Sequence, residues 1–182
     1  MLAFLHQEEP VSNLLAVDPG LRNPAAALFE NGVLQRASRV KIPTKTHALP
    51  LGERCIAVAE LICAWAQADI DELVIEWPKV YRASRGVKAD PADLFPLAGI
   101  GMAVAGLLRV SASAVHAPTA HDWIGSLPKS KTGDPLASPR GHRIWSRLSD
   151  AEKAGVVLSH DAVDAVGIGL WRLGRLDRRL AI

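Results

Sequence analysis

Four acidic side chains of this sequence stand where a carboxylate can do chemistry. The apolar run Leu14-Leu15-Ala16-Val17 ends abruptly in Asp18-Pro19-Gly20. Apolar residues bounded by turn formers read as a buried strand, and Pro-Gly turns the chain straight after it. Asp18 is therefore expected at the carboxyl end of a central strand. The run Glu72-Leu73-Val74-Ile75-Glu76-Trp77-Pro78 reads the same way and puts Glu76 at the end of its own strand. Near the carboxyl terminus, Ser159-His160-Asp161-Ala162-Val163-Asp164-Ala165-Val166 opens a helix on which Asp161 and Asp164, three apart, are neighbours.

Each of these residues also has a plainer reading. Asp-Pro-Gly after a strand is by itself a turn. Ser159 is a good helix cap, and an acid in the first helical turn is favoured by the helix dipole, which accounts for Asp161. Asp164 is harder to dismiss, because it lies among Ala and Val in a nearly apolar helix and its burial needs a neutralising partner. His160, four residues before Asp164, could ligate a metal, shuttle a proton or pair with a carboxylate at the helix start. The functional reading depends on whether the fold brings the carboxylates together.

The elements that must do so follow from periodicity and turn chemistry. Residues 25–30 and 33–42 flank Asn31-Gly32, whose positive φ angles make the tight hairpin turn. With residues 14–18 they give three antiparallel strands in sequence order. Residues 43–50 read as a loop, and residues 51–67 as a helix whose apolar stripe runs through Ile56, Ala59, Cys63 and Ala66. A helix between strands is a crossover, so the strand ending at Glu76 should lie parallel to the one ending at Asp18. Residues 79–91 form a basic loop. Residues 93–109 form a helix rich in Gly and Ala that allows close approach of another backbone. Residues 112–116 read as a strand, 119–124 as a helical turn, 128–141 as a Gly/Pro-bearing loop, and the last helix runs from 159 toward 176.

At 182 residues, with 49% hydrophobic and 22% charged side chains, the chain reads as one ordinary globular domain spanning 1–182. A net charge of +2 permits an anionic partner without demanding one. Its two cysteines, Cys55 and Cys63, lie on one helix about 12 Å apart along the axis and cannot bridge each other. They read as free thiols suited to a reducing, cytoplasmic setting. The amino-terminal stretch does not read as a signal peptide, and residues 97–108 are too short an apolar run to span a bilayer, so no membrane partner is expected.

In their order, a strand ending in Val17-Asp18-Pro19-Gly20, a hairpin, a crossover helix, a strand ending in Ile75-Glu76-Trp77-Pro78, a small-residue helix and a last helix with Asp161-Ala162-Val163-Asp164-Ala165 resemble the RuvC family of Holliday-junction resolvases. That family belongs to the RNase H-like superfamily. The resemblance runs from about Leu14 to Trp171, and its His-Asp-x-x-Asp-Ala-x-Gly tail is closer to phage-borne or divergent relatives. It implies an α/β RNase H-like fold, a mixed five-stranded sheet flanked by helices.

It also implies a crossover-junction endonuclease of bacterial or phage-infected cells. Two Mg²⁺ or Mn²⁺ ions would be held by Asp18, Glu76, Asp161 and Asp164, hard oxygen ligands for hard cations. Two such ions about 4 Å apart activate a water and stabilise the leaving 3′ oxygen of a phosphodiester. No small-molecule cofactor is implied. Lys129 would sit near the scissile phosphate, with Tyr81, Arg82, Arg85, Lys88 and Lys131 along the DNA, although any one of these cations could equally face only solvent. Tyr81 could stack on a base, whereas Trp77 reads as core. The helix over 93–109 would pack against its twin in a homodimer matching the two-fold symmetry of a four-way junction. The stretch 130–143 has no family counterpart.

Three other functions compete. One is a less selective nuclease of forks, flaps or phage DNA intermediates. Another is a catalytically silent DNA-binding relative, which would not need every carboxylate. The third, an actin-like ATPase or sugar kinase, needs two such domains, for which 182 residues are too few.

Overall fold

In a computed structural model of the chain, residues 13–78, 91–125, 127–128 and 134–176 are described. They form a five-stranded mixed sheet with helices on both faces. The strands are β1 (Asn13–Asp18), β2 (Ala25–Glu30), β3 (Val33–Arg39), β4 (Glu72–Ile75) and β5 (Val115–His116), in spatial order β3-β2-β1-β4-β5. The first three are antiparallel neighbours, while β1, β4 and β5 run parallel. The hairpin turns where expected, with Asn31 at φ 50° and Gly32 at φ 77°, the pair of positive angles that the tight turn requires.

The central position of β1 explains its composition. Side chains alternate across a strand. Leu15 and Val17 pack with Val58, Ile62, Ile100 and Val104 beneath α1 (Leu51–Ala66) and α2 (Pro91–Leu108). Leu14 and Ala16 face the opposite layer with Phe29, Val74, Trp123 and Ile168. That layer is built from α3 (Ala120–Trp123), α4 (Pro139–Trp145), α5 (Asp150–Gly155) and α6 (His160–Arg172). The last helix lies close on the sheet because it carries glycines there. A Cβ on Gly169 would run into the Phe29 ring, and one on Gly167 would meet Trp123 Cζ3 at 2.5 Å and Ile144 Cδ1 at 2.8 Å.

Several expected details shift. The buried face of α1 is Cys55, Val58, Ala59, Ile62 and Ala66 rather than the stripe through Ile56, which is 52% exposed, and Cys63, which is half-buried. The helix is apolar nearly all round, so periodicity alone does not mark its buried face. Residues 43–50 contain a 3-10 turn (Thr44–Ala48), and of 112–116 only Val115–His116 pairs with the sheet, after a 3-10 turn. In the expected loop 128–141, a 3-10 turn (Pro135–Ala137) leads into α4. Gly99 and Gly101 of α2 face its own domain, against Cys55 and against Ile75 and Trp77, whereas Gly106 is exposed with open space around it. Among the described residues no helix is long and apolar enough to cross a membrane.

Two buried glutamates tie the layers together. Glu72 pairs with His116 Nε2 at 2.7 Å and with the Arg172 guanidinium, joining β4, β5 and α6. Glu152 accepts the Leu34 N–H at 2.8 Å, covering the exposed edge of β3, and is gripped by Arg175 at 2.8 and 2.7 Å. Burial pushes the Glu152 carboxyl up, but the Arg175 bonds and the N–H groups of Leu34 and Ser149 outweigh it and hold the pKa down at about 2, against an ordinary 4.5. A depressed carboxylate stabilises the fold fully above its unfolded pKa and loses that contribution as pH falls through the folded value. Acid unfolding of the wild type should therefore lose about 2–3 kcal/mol between pH 4.5 and 2 from this group. Denaturant titrations across that range should show Glu152→Gln less stable at pH 6 and lacking this increment of acid sensitivity.

Candidate active site

The candidate site lies at the carboxyl edge of β1 and β4. These strands are parallel neighbours with Val17 opposite Ile75, and the Glu76 N–H donates to the Val17 carbonyl at 3.0 Å, extending the pairing by one residue. Asp18 and Glu76 thus lie side by side, on strands about 4.8 Å apart. Strand alternation puts both on the face of Leu14, Ala16 and Val74, the face covered by α6. Pro19-Gly20 turns the chain away directly after Asp18, so this edge is not buried under the continuing strand.

The last helix brings the other two acids to the same face. Ser159 caps it as expected, its hydroxyl accepting the Ala162 N–H at 3.2 Å. Asp161 lies half-buried in the first turn, and Asp164 is buried, with 3% of its surface exposed.

One partner of Asp164 is Arg140, in the first turn of α4. Its Nη1 donates to both carboxylate oxygens, at 3.2 and 3.3 Å, while Nε and Nη2 donate to the Leu127 carbonyl at 3.1 and 2.8 Å. The guanidinium lies 5.7 Å from the centre of the Trp123 ring, within cation–π range. The Trp123 indole Nε1 in turn donates to Glu76 Oε2 at 2.9 Å. Fully buried Trp123 and well-buried Arg140 therefore connect Glu76, at the end of β4, to Asp164 on α6.

Local chemistry fixes both connectors. The short helix carrying Trp123 is started by Asp122, whose carboxylate accepts the Thr119 N–H at 2.8 Å and its hydroxyl at 2.6 Å. The Trp77 N–H donates to the Pro118 carbonyl at 2.7 Å, tethering the approach to α3 beside the exit of β4. The helix carrying Arg140 is started by the Ser138 hydroxyl, which accepts the Gly141 N–H at 3.0 Å, with Pro139 in the first helical position.

Chemically, the donor type suits a hard cation. Asp18, Glu76, Asp161 and Asp164 supply only carboxylate oxygens, from two adjacent strand ends and one facing helix. Among the described residues, however, no group of three or more His, Cys, Asp or Glu side chains is drawn together as a metal site, and both oxygens of Asp164 are held by Arg140. Tyr81, Arg82, Arg85, Lys88, Lys129 and Lys131 lie outside the described residues.

No protein-family model matches the chain, and no curated protein resembles it in sequence. Among solved structures, T. thermophilus RuvC in complex with a Holliday junction substrate matches with a TM-score of 0.52 at 16% identity, covering 91% of this chain and 98% of that one. The fold is RuvC-like. A second Thermus thermophilus RuvC structure matches at the same identity and coverage with a TM-score of 0.43. The shared architecture is the RNase H-like sheet of three antiparallel strands followed by two parallel ones.

Sequence reasoning missed Trp123 and Arg140 as members of this candidate site. The signal for Arg140 was present in Ser138-Pro139, a cap residue followed by proline at the first helical position. Nothing local marks Trp123 as a partner of Glu76, because that hydrogen bond spans 47 residues.

Proposed function

We propose that this chain is a divalent-metal-dependent endonuclease that cleaves four-way junctions or other branched DNA. The observation that carries the reading is the placement of Asp18 and Glu76 at adjacent strand ends, on the face where α6 presents buried Asp164. The neighbour matched over nearly its whole length is a RuvC bound to a Holliday junction, which favours branched DNA as the substrate.

In this reading Asp18, Glu76, Asp161 and Asp164 would hold two Mg²⁺ or Mn²⁺ ions. Such ions would activate the attacking water and neutralise charge on the phosphate and its leaving 3′ oxygen. Glu76 would be held in place by the Trp123 indole. Lys129 would lie near the scissile phosphate, while Arg82, Arg85, Lys88 and Lys131 would neutralise backbone phosphates and Tyr81 would stack on a base. The chain would act as a single domain in the cytoplasm and as a homodimer. Phe95 and Met102, seven apart on α2 and 72% and 68% exposed, supply an apolar face for a twin helix.

A second reading, a catalytically silent DNA-binding relative, is favoured by the hold of Arg140 on Asp164. Labelled four-way junctions, forks, flaps and linear duplex incubated with protein and Mg²⁺ separate these readings. The proposed function expects paired nicks in the junction and an intact linear duplex. Equal cutting of forks and flaps would point to the broader nuclease. Junction binding without cleavage in either Mg²⁺ or Mn²⁺ would favour the silent relative.

A further inference from the structure

The Arg140–Asp164 contact is not built like a permanent salt bridge. A locked arginine–carboxylate pair uses two parallel N–H···O bonds at about 2.7–2.9 Å. Here a single nitrogen is shared between both oxygens at 3.2 and 3.3 Å, while the better-placed donors, Nε and Nη2, go to the Leu127 carbonyl. The guanidinium therefore has an anchor of its own and only leans on the carboxylate. It also lies over Trp123, the side chain that holds Glu76, so it touches the supports of two of the proposed ligands at once.

We propose that Arg140 is an exchangeable internal counter-ion for the metal position. It helps to neutralise Asp164 when no divalent cation is bound, and a cation chelated by both Asp164 oxygens must displace it. This inference rests on the metal-dependent reading above and adds a competitor within the chain itself. Nη1 sits astride both Asp164 oxygens, the position a cation chelated by that carboxylate would occupy, so the two exclude each other there. Displacement would also disturb the start of α4, because Arg140 is its second residue, and would uncover one side of the Trp123 indole. Arg140 is thus a positioning residue that sets the metal concentration at which the site assembles.

Calorimetric titration with MnCl₂ alone tests this without reference to catalysis. Arg140→Gln should bind Mn²⁺ about tenfold more tightly than wild type or better, since this competitor is gone. Arg140→Lys, which keeps the charge but cannot bond Leu127 and Asp164 together, should fall between them and serves as the comparison if the Gln variant fails to fold. In wild-type protein, hydrogen exchange should quicken over residues 139–145 and slow over 160–165 when Mn²⁺ binds. Equal or weaker Mn²⁺ binding by the Gln variant, or no change in α4 on Mn²⁺ uptake, overturns the inference and leaves the metal reading standing. No Mn²⁺ uptake by wild type or variant overturns both.

Discussion

Asp18→Asn is expected to reduce Mg²⁺-dependent junction cleavage by about 10²- to 10⁴-fold, the rate equivalent of losing several kcal/mol of charge stabilisation at the phosphate. The substitution keeps the shape of the side chain and removes the charge. Asp18 is half-buried at a strand end, so the fold should be little affected and the loss can be read as chemistry. Junction affinity should be unchanged or slightly higher, because one negative charge has been taken from a surface that meets phosphates. Quenched-flow or gel-based cleavage rates, paired with a binding assay in Ca²⁺, separate the two effects. Full-rate cleavage by Asp18→Asn would remove Asp18 from the site. Asp164→Asn should lose as much activity, but it also breaks a buried ion pair, which typically costs about 3–5 kcal/mol, so its thermal stability must be measured beside its rate.

Trp123 gives the second large effect because it has two separable roles. Trp123→Ala removes a fully buried indole from the core between β4 and α6 and should destabilise the protein by about 3–5 kcal/mol. Trp123→Phe keeps most of the apolar volume but withdraws the donor from Glu76. It should cost much less stability, while lowering Mn²⁺ affinity and cleavage by about 10- to 100-fold, as for other groups that orient a ligand from behind. If Trp123→Phe bound Mn²⁺ and cleaved like wild type, the indole would be a packing residue whose bond to Glu76 has no functional consequence. Chemical denaturation and Mn²⁺ titration of the two variants decide between these outcomes.

Much of the framework was legible in the sequence because its signals are local. The apolar run before Asp18, the Asn31-Gly32 turn and the Ser159 cap each determine backbone conformation within a few residues, and the structure has all three. Parallel pairing of β1 and β4 followed from the crossover helix between them. Reading failed where periodicity is weak. In α1, apolar residues on nearly every side hid which face is buried, and Ile56 was assigned to the wrong one.

In the candidate site, the side on which Asp18 and Glu76 stand could be inferred from alternation alone. The partner of Asp164 could not. The need for a countercharge was visible in the apolar setting of that residue. Its source, Arg140, sat in a stretch whose glycines and prolines suggested a loop. The same residues in fact start a helix: Ser138 caps it, Pro139 occupies its first position, and Gly141 fits where any Cβ would collide with the Pro135 carbonyl. Composition alone does not distinguish a loop from the capped start of a short helix, and the order Ser-Pro is what does.

The central claim is that carboxylates from β1, β4 and α6 form one metal centre, and a crystal soaked in Mn²⁺ tests it most directly. Anomalous scattering should show two ions about 4 Å apart, ligated by Asp18, Glu76, Asp164 and Asp161, with the Arg140 guanidinium swung away from Asp164. Carboxylates of Asp18, Glu76 and Asp164 more than about 8 Å apart, with no anomalous density between them and Arg140 still bonded to Asp164, would contradict it.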